Sequence, residues 1–204
     1  ISPYIHRTPV LSSHALDELT EARMYFKCEN FQKAGAFKSR GATNAILSFD
    51  KGAIQGVCTH SSGNHAQALA RAASLFGIPA HIVMPETAPA VKVAAVKAYG
   101  GIITFCQPTL AAREKTLESV RMQSGAVEVH PYNDHRIIAG QATAALEMIQ
   151  DQGPFDLLLT PVGGGGLLSG TALTNHFFNP GGIVLGAEPE GADDALRSLK
   201  AGTI

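Results

Sequence analysis

Four consecutive glycines, Gly163 to Gly166, inside the run Pro161–Gly170 (PVGGGGLLSG), constrain this chain more than any other stretch. A strand-like segment, Asp156–Thr160, precedes them and a helical pattern, Leu167–Phe178, follows. Backbone without Cβ turns sharply and lets a ligand approach closely. The next helix points its unpaired N–H groups into the same space, so a phosphate is the natural occupant. A ligand-free strand-to-helix turn is the alternative. Which phosphate ligand is less clear from the run alone. Gly165 to Gly170 has the spacing of a Walker loop, but Thr171 follows directly and the lysine is missing. The third glycine of a dinucleotide fingerprint would fall on Leu168 or Ser169. Glu188 ends the next strand-like run, where a ribose-binding acid would sit, and this keeps a nucleotide-binding α/β module open.

Two further motifs narrow the choice. Ser61-Ser62-Gly63-Asn64-His65 separates a strand-like run, Gly56–His60, from a helical pattern, Ala66–Gly77. Serine suits a helix N-cap, a helix N-terminus attracts anions, and the Asn64 amide both donates and accepts. The segment reads as a carboxylate cradle or as simple capping. In Gly35-Ala36-Phe37-Lys38-Ser39-Arg40-Gly41-Ala42, Lys38 lies among small and apolar neighbours and opens a helical run, Lys38–Phe49. Such surroundings bias an amine toward its neutral, nucleophilic form. A surface lysine with a snorkelling stem is the alternative.

Taken together, AFKSRGA, SSGNHAQ and PVGGGGLLSG resemble the fold-type II pyridoxal-phosphate enzymes, within them the serine/threonine dehydratase and serine racemase group. His6–Leu11, Lys27–Gln32 and Ile138-Ala139-Gly140-Gln141 match as well, so the resemblance covers essentially all 204 residues. It implies an α/β fold of parallel sheets like that of the tryptophan synthase β subunit. A small domain, 56–135, would be inserted into a larger one formed by 1–55 and 136–204. It implies that Lys38 holds pyridoxal 5'-phosphate as an internal aldimine and that Phe37 packs beside it. Asn64 would bond the ring hydroxyl, and Gly163, Gly164, Gly165, Gly166 and Leu167 would hold the phosphate. Ser61, Ser62, Asn64 and His65 would line the substrate carboxylate site. Ser62 would also serve as acid/base on the face opposite the lysine when the reaction is racemisation.

The resemblance carries a reaction with it. Lys38 would take the Cα proton of a 3-hydroxy amino acid such as L-serine or L-threonine, and loss of the hydroxyl would end in a 2-oxo acid and ammonia. Racemisation on the same scaffold is the second outcome. Residues matching Glu188, the Ala192 carbonyl and Asp194 bind Mg²⁺ or Ca²⁺ in this group; two carboxylates and a carbonyl suit a hard cation. A solvated acidic turn is the other reading of Glu188–Asp194. Two departures stand out. The chain opens on Ile1 rather than methionine and stops at Ile204, short of where family members stop. The last part of the large domain, with the group facing the pyridine nitrogen, is therefore expected to be absent, and the fragment alone to be inactive. Tyr132 stands where relatives close to serine racemase carry asparagine.

Composition excludes other classes. Charged residues make up 16 % and the net charge is −1, so no basic excess points to nucleic acid. No apolar run approaches membrane-spanning length. Cys28, Cys58 and Cys106 lack metal or redox spacing and read as reduced core thiols of a cytoplasmic protein. The resemblance implies a homodimer at full length and a small amino acid as substrate. Strand candidates are Met24–Cys28, Gly56–His60, Ala80–Met84, Ile102–Cys106, Val127–His130, Asp156–Thr160 and Ile183–Ala187. Helix candidates between them include Pro89–Tyr99, Ala111–Gln123 and Ile137–Ile149. That alternation means parallel α/β. The unit around Ala80–Cys106 reads as a compact sub-domain.

Overall fold

The computed structural model describes residues 1–50 and 52–203. It opens with β1 (Val10–Ser12), α1 (His14–Thr20) and β2 (Tyr25–Lys27), the strands pairing antiparallel, and α2 (Lys38–Leu47) follows. A regular alternation then runs β3 (Val57–His60), α3 (Asn64–Ser74), β4 (Ala80–Pro85), α4 (Ala90–Ala98), β5 (Ile102–Cys106), α5 (Leu110–Ser124) and β6 (Val127–Glu128). The chain continues through α6 (His135–Gln152), β7 (Leu157–Pro161), α7 (Gly166–Phe178), β8 (Ile183–Ala187) and α8 (Asp194–Ala201). The fold is α/β with parallel sheets, as the strand–helix alternation predicts.

The central sheet is parallel, in the order β5-β4-β3-β6. Chain direction across the sheet reverses between β3 and β6, so the crevice beyond their carboxyl ends is a topological switch point, the usual ligand position in open α/β sheets. The turn Ser61–Gly63 and the segment 129–134 leave from those two ends. The Ala80–Cys106 unit is not self-contained: β4 pairs with β3 from Val57↔Ala80 to His60↔Val83. One core fills the α2, α3 and α4 side of this sheet, with Ile46, Leu69, Ile82, Met84, Val96 and Ile137 fully buried. A smaller one lies under α5, where Cys58 and Cys106 are buried. All three cysteines are free thiols, and burial pushes the Cys58 thiol up to about 12.

α6 runs against both α2 and α7 at very short range. A Cβ on Gly140 would come within 2.5 Å of the Gly41 Cα, and one on Gly170 within 2.6 Å of the Ala142 nitrogen. Gln141, fully buried, accepts from the Gly41 N–H at 3.2 Å. The segment Ile138-Ala139-Gly140-Gln141 therefore seats three helices on one another. β7 and β8 form a parallel pair with Leu159 and Ile183 exposed. Among the described residues no helix is long and apolar enough to cross a membrane.

Candidate active site

The turn that delivers Lys38 is built by local polar contacts. The Gln32 amide donates to the His6 carbonyl at 2.7 Å and its oxygen accepts the His6 N–H at 2.8 Å. The Ser39 hydroxyl donates to the Lys33 carbonyl. Lys38 is then the first residue of α2, and its ammonium donates to the Pro131 carbonyl at 2.6 Å. The amine lies 5.3 Å from the centroid of the Phe37 ring. Burial lowers the Lys38 pKa from 10.5 to about 8, because the charged form loses hydration that one carbonyl does not replace. The neutral amine that the sequence anticipates is thus accessible near physiological pH.

The second motif changes one expectation. α3 begins at Asn64, not Ala66, and its N-cap is Gly63 with no side-chain cap. The Ser61 hydroxyl instead accepts the Gly63 N–H at 3.3 Å, tightening the turn. The first N–H groups of α3 are therefore left for an anion. Asn64 is exposed, and its Oδ1 accepts from the Lys92 ammonium at 2.9 Å, which leaves its NH₂ as the outward donor. The His65 side chain lies in the core, where Nε2 donates to the Val129 carbonyl at 3.0 Å. Burial, with the neighbouring Lys38 charge, lowers its pKa to about 3, so the ring is neutral. Its contribution to a carboxylate site is limited to its main-chain N–H. Ser62 is half-buried on the same turn.

The glycine loop ends in the same way. Gly165 has φ 82° and is the N-cap of α7, again without a side-chain cap. A Cβ on Gly163 or Gly165 would meet open space, whereas one on Gly164 would overlap the Tyr132 ring. Tyr132 follows Pro131 in the loop that receives the Lys38 ammonium, and its ring stands edge-on to His130 at 4.5 Å. His130 Nδ1 accepts the Asn133 N–H at 2.9 Å, which folds this loop back on itself. The loop after β6 thus joins all three motifs: Val129 to His65, Pro131 to Lys38, Tyr132 to Gly164. Phe37 and Leu167 line a separate cavity of about 290 Å³ with Lys27, Glu29 and Thr160, which Lys38, Asn64 and the four glycines do not line.

These residues fit a phosphorylated carbonyl cofactor. The amine is poised to form a covalent link, and α3 and α7 present uncapped N-termini for a carboxylate and a phosphate. The acidic turn sits apart. Glu188 accepts the Ala195 N–H at 3.0 Å and the Leu196 N–H at 2.9 Å, so its carboxylate caps α8. Asp194 and Ala192 are exposed beside it, and Asp193 pairs with Arg197 at 2.9 Å. Among the described residues no group of three or more His, Cys, Asp or Glu side chains is arranged to hold a metal ion.

Sequence reasoning missed a buried ion cluster behind Lys38. Arg40 is completely buried between Glu29 and Glu147, and Lys27 joins Glu147 at 2.7 Å. The two carboxylates hold the Arg40 guanidinium above its ordinary range against the opposing effect of burial. A signal was present: Glu147 is a charged residue on the buried face of α6 that carries Ile137, Gly140 and Ala144. A charge in an apolar stripe calls for a buried partner.

The pyridoxal-phosphate-dependent enzyme family model matches residues 1–204. The β-hydroxyaspartate dehydratase of Paracoccus denitrificans is 53 % identical over 100 % of this chain and 65 % of its own length. The serine racemase of Oryza sativa subsp. indica is 50 % identical over 100 % of this chain and 60 % of its own. Maize serine racemase superposes with a TM-score of 0.97 at 50 % identity, covering 100 % of this chain and 62 % of that one. The chain spans 60–65 % of the length of these curated relatives. A matched family model along the whole chain, with a fold that superposes on maize serine racemase, means that the chain belongs to the pyridoxal-phosphate-dependent enzymes and has the fold-type II architecture of the dehydratase and serine racemase group.

Proposed function

We propose that the full-length protein is a dehydratase, an ammonia-lyase converting L-serine, L-threonine or a related 3-hydroxy amino acid to a 2-oxo acid and ammonia. The observation that carries this reading is the Lys38 amine, depressed to about 8 by burial and held on the Pro131 carbonyl. The dehydratase relative, at 53 % identity, supports the lyase outcome. Pyridoxal phosphate, when bound, supplies an electron sink for charge left at Cα. Lys38 would hold it through Nζ, and its neutral amine would be the base that takes the Cα proton. Phe37 would pack beside it, and the Asn64 NH₂ would be the donor to its ring hydroxyl. The N–H groups of the Gly163–Gly166 loop and Leu167 hold its phosphate. The turn Ser61–Asn64 and the His65 N–H hold the substrate carboxylate at the start of α3. Neutral His65 pins that helix start to the loop after β6.

Racemisation is the second reading, supported by the racemase relative at 50 % identity. Ser62 would then return the proton from the opposite face. Incubating the full-length protein with a panel of L- and D-hydroxy amino acids separates the two. A dehydratase releases 2-oxo acid and ammonia with little enantiomer formed; a racemase accumulates the opposite enantiomer. Neither product from any member of the panel would overturn both readings.

We infer a domain division at 1–55, 56–135 and 136–204 and a homodimer from the family resemblance, and a cytoplasmic location from three free cysteines without metal or redox spacing. A divalent ion at Glu188, the Ala192 carbonyl and Asp194 rests on the family resemblance and on donor chemistry, two carboxylates and a carbonyl suiting a hard cation. The capping bonds leave further lone pairs on the Glu188 oxygens. Chelation is expected to lower Tm of the full-length protein, and Mg²⁺ or Ca²⁺ to restore it. Asp194→Ala should abolish that response and leave cofactor binding intact. Full-length protein indifferent to chelator and cation would remove the metal from the account.

A further inference from the structure

Two consecutive residues shortly before Lys38 hold left-handed backbone, Ala34 at φ 55° and Gly35 at φ 68°. For alanine this costs about 1–2 kcal/mol, and such strain persists only where the surroundings over-determine it. Glu29 lies before the strained turn and Arg40 after it. Arg40 Nε donates to Glu29 Oε2 and Nη2 to Oε1, each at 2.7 Å, so a bidentate fork closes the segment that carries Lys38. Glu147 of α6 takes Nη1 and Nη2, each at 2.8 Å. Thr143 accepts from Nη1 at 3.1 Å, and Thr8 from Nη2 at 3.4 Å. Two cations, Arg40 and Lys27, face two carboxylates. Lys38 and Arg40 are two residues apart on α2 and point to different faces. The guanidinium is held from behind while the amine reaches forward to Pro131. α2 has no side-chain cap, so its start is held by the Ser39 hydroxyl on the Lys33 carbonyl and by this fork.

We propose that Glu29, Arg40 and Glu147 form a positioning clasp that keeps the strained turn closed and so sets the reach and burial of the Lys38 amine. The clasp rests on the reading of Lys38 as the cofactor-binding lysine. Opening it admits water to Nζ and loosens the contact with the Pro131 carbonyl. An amine whose pKa is depressed by burial then recovers its ordinary basicity. The Tyr132 phenol stands in the same loop as Pro131, and His65 from α3 with His130 and Asp134 after β6 are, among the described residues, the histidines and carboxylate on that side. These last three have lowered pKa values, so none of them titrates between pH 7 and 10.

Apo full-length protein, treated with an amine-directed reagent across pH and read by mass spectrometry of the Lys38 peptide, tests this without turnover. Wild type should label with a midpoint near pH 8. Arg40→Lys keeps the charge and loses the fork; Glu147→Gln keeps the shape and loses the charge. In each the midpoint should rise by about one pH unit or more, cutting labelling at pH 8 about fivefold. In the loaded enzyme kcat should fall about tenfold with KM little changed. Val96→Ala, a cavity in the core against α4, should lower stability and leave the midpoint in place. If Arg40→Lys and Glu147→Gln fail to fold, Thr143→Val removes one acceptor, keeps both carboxylates and should shift the midpoint with the same sign. Folded variants with the wild-type midpoint and kcat overturn the clasp. Wild-type protein that never attaches cofactor at Lys38 overturns the functional reading instead.

Discussion

Full-length protein carrying Lys38→Met loses turnover by about 10³-fold or more, since one side chain supplies both the covalent link and the base. Its apo form gains stability at neutral pH. Folding lowers the Lys38 pKa from 10.5 to about 8. Between those values the unfolded chain binds more protons than the folded one, so wild-type stability rises with pH across that window. Below pH 8 the whole desolvation penalty of the ammonium is present; above 10.5 it is gone. Allowing for partial exposure, the penalty is about 1–2 kcal/mol. Methionine carries no such penalty. Denaturant titrations of both apo proteins at pH 7 and near 10.5 should show the variant ahead at the lower pH and the gap closing at the higher. Retained lyase activity, or a gap that widens with pH, would contradict the assignment.

Gly164→Val is expected to cut cofactor retention after dialysis by about tenfold or more. The sequence suggests that a side chain here would crowd a phosphate, but the structure names a nearer obstacle. A Cβ at this position overlaps the Tyr132 ring, and one at Gly166 would lie 3.0 Å from the Tyr132 Cβ. The clash would push on the loop that also holds Lys38 through Pro131. A double-variant test separates the causes. If the ring is the obstacle, Tyr132→Ser placed in the Gly164→Ala background restores much of the retention, a coupling of about 0.5–3 kcal/mol. If the phosphate is crowded directly, the second change restores nothing. Unchanged occupancy in Gly164→Val would reduce the loop to a structural turn.

The sheets were legible because their strands read as short β-branched runs between helical patterns. Ile102–Cys106 and Ile183–Ala187 are bounded as anticipated. The β1–α1 entry was less so: β1 is a three-residue strand with no period to detect, and α1 has no buried residue. α8 hid in the same way, as a short exposed helix capped from Glu188 rather than by its own N-cap residue. At the site, Lys38 and the glycine loop were visible as motifs, because backbone geometry and an amine in apolar company leave local traces. The roles of His65 and Tyr132 were not. Both depend on the loop after β6, which is remote in sequence and meets them only across the switch point of the sheet. The Arg40 clasp is likewise a long-range construction, joining residues 29, 40 and 147.

Reducing the cofactor-loaded full-length protein with borohydride, digesting it and locating the added mass tests the central claim most directly. A single modified residue, Lys38, is expected in near-stoichiometric yield. Modification at another lysine, or none in a preparation that still turns over a hydroxy amino acid, would contradict it.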